Sequence, residues 1–164
     1  MAENALTFEN VLSVLTEYGK QAEVIYKGHL KREKKNASYK LTDSVKYFTK
    51  VEGNTMSVGL NLEEYWKYIE YGRKPGKFPP PDAILKWIEV KPVLPRPDAK
   101  GRIPKPKQLA YLIGRKIERE GIEPTPIMAA TVEELNDHFI PLIREALQKD
   151  IGDNVSVFIK SKYF

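Results

Sequence analysis

The chain has no cysteine, and this one absence removes disulfides, thiolate nucleophiles and thiolate-bound metals together. Histidine is almost as scarce. His29 and His138 are the two imidazoles in 164 residues, they lie far apart, and no H-x3-H or HExxH spacing joins them. No run approaches 18 consecutive apolar residues, so no membrane-spanning helix is expected. The opening MAENALTFENVLSVLTEYGK carries acids where a secretory signal needs a basic start and an apolar stretch, so the chain is expected to be made and kept in a cytoplasm. Nucleophile-elbow, P-loop and GxGxxG patterns are missing as well. The clustered carboxylates (Glu63-Glu64, Glu118 with Glu120, Glu133-Glu134) fall in first helical turns or on solvated faces. No catalytic residue, cofactor or metal is therefore expected.

What is present is an ordinary globular balance, 41% hydrophobic and 30% charged, in a length that suits one domain over 1–164. The charge is unevenly spread. Residues 27–40 hold six Lys/Arg against Glu33, and residues 72–107 hold ten against Asp82, Glu89 and Asp98, local charges of +5 and +7 in a chain of net +5. The remainder is net acidic. Such a split suits a molecule that presents different faces to different neighbours.

Periodicity predicts an α+β fold. Phe8, Val11, Leu12, Leu15, Tyr18, Ala22, Ile25 and Tyr26 recur at three- and four-residue steps, predicting a long helix over about 4–35, with Gly19 and Gly28 as weak points. Val45, Tyr47, Thr49 and Val51 alternate with polar or outward residues, Glu52-Gly53-Asn54 turns the chain, and Met56, Val58 and Leu60 alternate again, which predicts a β-hairpin. Short helices are expected over 61–72 and 82–90, then a helix from about Lys107 to Gly121. A last helix is expected over 125–149 with Pro141 as an internal break, and the alternation in NVSVFIK predicts a C-terminal strand joining the hairpin. The expected architecture is thus a small antiparallel sheet, hairpin plus C-terminal strand, packed on long N- and C-terminal helices.

Nine of the twelve prolines lie in 73–107, so this stretch is expected to be a basic, proline-stiffened insertion or arm, with an extended loop over 91–105 and a helical island bearing Trp87. Tyr65, Trp66, Tyr68 and Tyr71 cannot all face one core, which makes this stretch a candidate subunit interface. Arg73, Lys74, Lys77, Phe78, Trp87, Arg96 and Arg102 in the arm complete the candidate partner surface. The alternative is a nucleic-acid-binding accessory protein, since basic segments 27–40 and 72–107 interleave with Tyr26, Tyr39, Phe78 and Trp87. No helix-turn-helix, RRM or KH signature accompanies them.

The order of these segments resembles the head-tail joining or tail-completion proteins of tailed bacteriophages. The family's Y-x-x-Y-V-E-[FY]-G-T segment is matched by Tyr65 to Gly72, with Arg73 where threonine is frequent. Its P-F-[LM]-x-P-A segment is matched loosely by Pro126, Ile127, Met128 and Ala129, with isoleucine for the usual aromatic. ILKWIEVK and LAYLIGRKIEREG look like an insertion found in some relatives, and the likeness extends over most of 1–160. The resemblance implies a non-enzymatic virion component of the neck or tail, made in the bacterial host cytoplasm and closing into a homo-oligomeric ring. Its implied partners are copies of itself, the portal or connector and tail proteins; the ring would enclose the DNA path without specific binding, and no membrane is involved.

Overall fold

The computed structural model describes residues 7–35, 39–53, 55–91, 93–97 and 99–163, the last five by backbone only. The chain is α+β and divides into two compact units. Unit 1 comprises Met1–His29, Val45–Asn61 and Met128–Phe164; unit 2 comprises Leu30–Ser44 and Leu62–Ile127.

In unit 1 the expected first helix forms as α1 (Glu9–Arg32, which runs on into unit 2), and the hairpin as β1 (Lys46–Glu52) and β2 (Thr55–Asn61). Asn54 of the expected turn lies outside the described residues. The strands pair antiparallel with Tyr47 opposite Leu60, Thr49 opposite Val58 and Val51 opposite Met56, so the inward set is the alternating one. Gly19 is where the hairpin meets α1: a Cβ there would lie 2.8 Å from the Tyr47 ring and 3.0 Å from Val58. A residue that weakens an isolated helix is what permits this close approach. The Glu23 carboxylate fastens the contact, accepting from the Tyr47 N–H at 3.0 Å and pairing with Lys27 at 2.6 Å.

Helix α6 (Ile127–Tyr163) closes unit 1, and its Leu135 and Phe139 join Ala22 in the core with Val14, Tyr18, Ile25, Leu60 and Ile143 around them. The Tyr18 and Phe139 rings meet edge to face at 5.2 Å. Here the structure corrects the sequence reading. Residues 154–160 do not form a strand; α6 continues through Gly152 to Tyr163, and the sheet has two strands among the described residues. The physical reason is tertiary. Asp150 accepts from the backbone N–H groups of Asn10 at 3.1 Å and Val11 at 2.9 Å, and Asn154, one turn on, pairs its amide with the Thr7 N–H (3.1 Å) and carbonyl (2.6 Å). A helix sets two side chains four residues apart about 6 Å from each other on one face, where a strand would set them about 13 Å apart, so the helical form lets both reach one neighbouring helix end. These bonds outweigh the roughly 1 kcal/mol that glycine costs inside a helix. Pro141 is likewise carried within α6, at an exposed position.

Unit 2 holds α2 (Lys40–Ser44), α3 (Trp66–Glu70), α4 (Pro81–Val90) and α5 (Pro106–Glu120). Helix α2 was not legible as a helix, being one turn long; it seats Leu41, which is buried, and the Ser44 hydroxyl accepts from the Glu63 N–H at 3.2 Å. Helices α4 and α5 each begin on a proline, whose fixed φ suits the first turn and whose missing N–H would be unpaired there. They pack together with Ile84, Ala110 and Gly114 buried. Residues 93–97 and 99–105 carry no helix or strand, as expected of the loop; Pro92 and Asp98 lie outside the described residues.

Candidate partner-binding surface

All eleven candidate interface residues fall in unit 2. The segment that carries most of them is not a free arm. Arg73 and Ile122 exchange backbone hydrogen bonds, N–H to carbonyl at 2.9 and 2.8 Å, and the Gly76 N–H donates to the Glu118 carbonyl at 2.7 Å. The Thr125 N–H reaches the Ile69 carbonyl at 2.7 Å. Residues 69–76 are thereby stitched along the end of α5 and the chain that follows it. Two glycines make this possible. Gly72 (φ 66°) and Gly121 (φ 76°) stand beside the bridge in the left-handed region, each with a partner-strand backbone oxygen where a Cβ would be.

On this fixed backbone the aromatic residues separate into two groups. Trp66 is half-buried against Tyr71, ring centroids 6.0 Å apart, and Phe78 is half-buried over Gly114 and beside Tyr111 at 5.9 Å. These two rings serve packing. Tyr65, Tyr68 and Tyr71 recur every three residues and are exposed, Tyr68 by 60% and Tyr71 by 71%. Lys67, Lys74 and Lys77 are exposed beside them in sequence, while the Arg73 guanidinium is turned back onto the Lys77 carbonyl at 2.7 Å. Trp87 on α4 is partly exposed with the Lys91 ammonium 5.8 Å from its ring centre, and that ammonium also donates to the Lys34 carbonyl at 2.9 Å. Arg96 and Arg102 lie exposed in the loop between α4 and α5.

Charge follows the division into units. Unit 2 carries nineteen Lys/Arg against eleven Asp/Glu, or +8, which leaves −3 for unit 1. The two local basic segments and the acidic remainder of the sequence thus map largely onto separate bodies.

No family model, curated protein or solved structure matches this chain.

Elsewhere, titratable side chains are engaged in packing. His29 is buried and 3.1 Å from the Glu134 carboxylate, and His138 lies edge-on to Phe139 at 5.0 Å. Lys27, with the Tyr47 N–H, holds the Glu23 carboxyl below the ordinary glutamate value. Burial works to raise Asp150, yet the Val11 and Asn10 donors together outweigh it and hold the carboxyl below the ordinary aspartate value. Among the described residues no three His, Asp or Glu side chains converge as a metal site would require, and no helix is long and apolar enough to cross a membrane.

Sequence reasoning missed the exposed apolar residues of α6, Ile151 and Val155 among them, because the last of these were assigned to a strand. The signal was present: Leu147, Ile151 and Val155 stand four residues apart.

Proposed function

We propose that this chain is a structural virion protein of a tailed bacteriophage, a ring-forming subunit at the neck or the head-proximal end of the tail that joins portal or connector to tail. The observation that carries this reading is the row Tyr65, Tyr68 and Tyr71, exposed along α3 and its flanks, with the chain that follows stitched in place by the Arg73–Ile122 bridge. Exposed tyrosines on rigid backbone lose little conformational freedom when covered, which is what a permanent subunit contact exploits. The segregation of +8 and −3 onto two units supports it, because a ring subunit meets its neighbours through two different, complementary faces. The resemblance of Tyr65 to Gly72 and of Pro126 to Ala129 to phage joining proteins gives the assembly its place. Electron-microscopic averages of the purified chain should show closed rings of one diameter, and a particle preparation lacking this protein should accumulate unjoined heads and tails. A persistent monomer, or normal particles without the protein, would refute the reading.

A second reading, nucleic-acid binding, has one observation in its favour. Lys107, Tyr111, Arg115 and Arg119 recur every four residues on α5 and all are exposed. Titrating a duplex oligonucleotide at two salt concentrations separates the readings, since phosphate contacts give a steep salt slope.

A further inference from the structure

Helix α6 bears two apolar stripes. The first, through Leu135, Phe139, Ile143 and Ala146, is consumed in the core of unit 1. The second, Ile140, Leu147, Ile151, Val155 and Phe158, advances by seven, four, four and three residues, and every member is between 41% and 59% exposed. At 100° per residue it lies about a third of a turn round the helix from the first and runs for roughly 27 Å. Half-exposed side chains of this size present roughly 400 Å² of apolar surface, interrupted by the exposed Arg144 between Ile140 and Leu147, which is about half of one partner's share in a standard interface.

We propose that this second stripe seats a neighbouring copy of the same chain, and that the part it receives is the tyrosine-bearing segment 65–77 of that copy; the inference rests on the ring-subunit reading and names its contact. Two features select this occupant. Over 127–158, α6 carries five exposed acids, with Asp150 buried, against Arg144 and Lys149, whereas segment 65–77 carries Lys67, Arg73, Lys74 and Lys77 against Glu70, which is buried. Pairing the α6 stripe with itself would set those acids against their like, and pairing it with the tyrosine segment sets them against bases. The segment also brings aromatic area on a stitched backbone, so little ordering is lost on docking. Because each copy carries both faces, the contact is head-to-tail and repeats from copy to copy.

The test is complementation between two variants of the full chain, read by native mass. Ile151→Glu with Val155→Glu spoils the stripe; Tyr68→Glu with Tyr71→Glu spoils the segment; all four positions are about half exposed or more, and circular dichroism checks the fold. The wild type should assemble, each variant should be monomeric, and an equimolar mixture should give a one-to-one dimer and nothing larger, since it can form one intact contact. Ile151→Ser alone, milder for the helix, should weaken assembly at least tenfold. Assembly of the α6 variant at wild-type concentrations, or a mixture that stays monomeric, overturns the proposed contact. Rings that survive both variants would overturn this contact while leaving the ring-subunit reading intact; a monomeric wild type would overturn both.

Discussion

Replacing Asp150 by alanine removes the carboxylate that α6 delivers to the start of α1. Asp150 is 3% exposed, and it accepts from Val11 N–H at 2.9 Å, Asn10 N–H at 3.1 Å and the Asn10 side-chain amide at 2.5 Å. Those backbone donors belong to the first turn of α1, where no intrahelical acceptor exists, and the helix dipole favours a negative charge beside them. Losing a capping side chain costs about 0.5–2 kcal/mol, and leaving the buried Val11 N–H unsatisfied adds about 1 kcal/mol, so Asp150→Ala should lose about 1.5–3 kcal/mol. For a chain of this length that lowers the thermal midpoint by roughly 5–10 °C. Asp150→Asn keeps an acceptor and should lose about half as much. The pH dependence has a definite sign. The folded carboxyl lies below its unfolded value of about 3.9, so its stabilisation is complete above that value and is lost as pH falls through the folded one. Melting followed by circular dichroism should therefore show a wide gap between wild type and Asp150→Ala at pH 7 that narrows by pH 3. An alanine variant melting with the wild type at pH 7 would refute the capping role, and a gap independent of pH would refute the electrostatic part of it.

Other perturbations probe unit 2. Gly114→Ala drives a methyl into the Phe78 ring and should cost about 1–3 kcal/mol in chemical denaturation, with Phe78→Leu restoring part of the loss in the double variant. Gly72→Ala meets both a left-handed φ and the Ile122 carbonyl, and should cost at least about 1–3 kcal/mol; amide exchange at Arg73 and Ile122 should accelerate in it while the Glu23-bonded Tyr47 amide stays protected. On the ring-subunit reading proposed above, Trp87→Ala, or deletion of residues 92–104, should leave a folded chain yet abolish the joining of heads to tails, as counted in infectious particles; normal titres would remove Trp87 from the proposed interface.

Much of the fold was legible because its causes are local. The stripe from Val11 to Tyr26, the alternation on either side of Glu52-Gly53 and the prolines that open α4 and α5 act within a few residues of chain, and each produced the expected element. The exposed tyrosines were also legible, since four aromatics in seven residues exceed what one buried face can take. The C-terminal strand was not. Val155, Val157 and Ile159 alternate as a strand would, while Leu147, Ile151 and Val155 step as a helix would, and a short β-branched run satisfies both periods. Gly19 and Gly114 were equally opaque, because the rings that require their missing side chains lie 28 and 36 residues away, at Tyr47 and Phe78.

By itself, then, the sequence determined the positions of most helices and the hairpin, the absence of cysteine chemistry and the clustering of charge and tyrosine, all properties set by composition and short-range periodicity. The run 151–158 satisfies both a strand and a helix period, and tertiary structure decided for the helix through the donors that Val11 and Thr7 present to Asp150 and Asn154. It also decided that 69–76 is a stitched segment and that α6 keeps a second apolar face exposed. These outcomes depend on groups some 40 to 150 residues apart in the chain, and a hydrogen bond across that separation leaves no trace in the spacing of either partner.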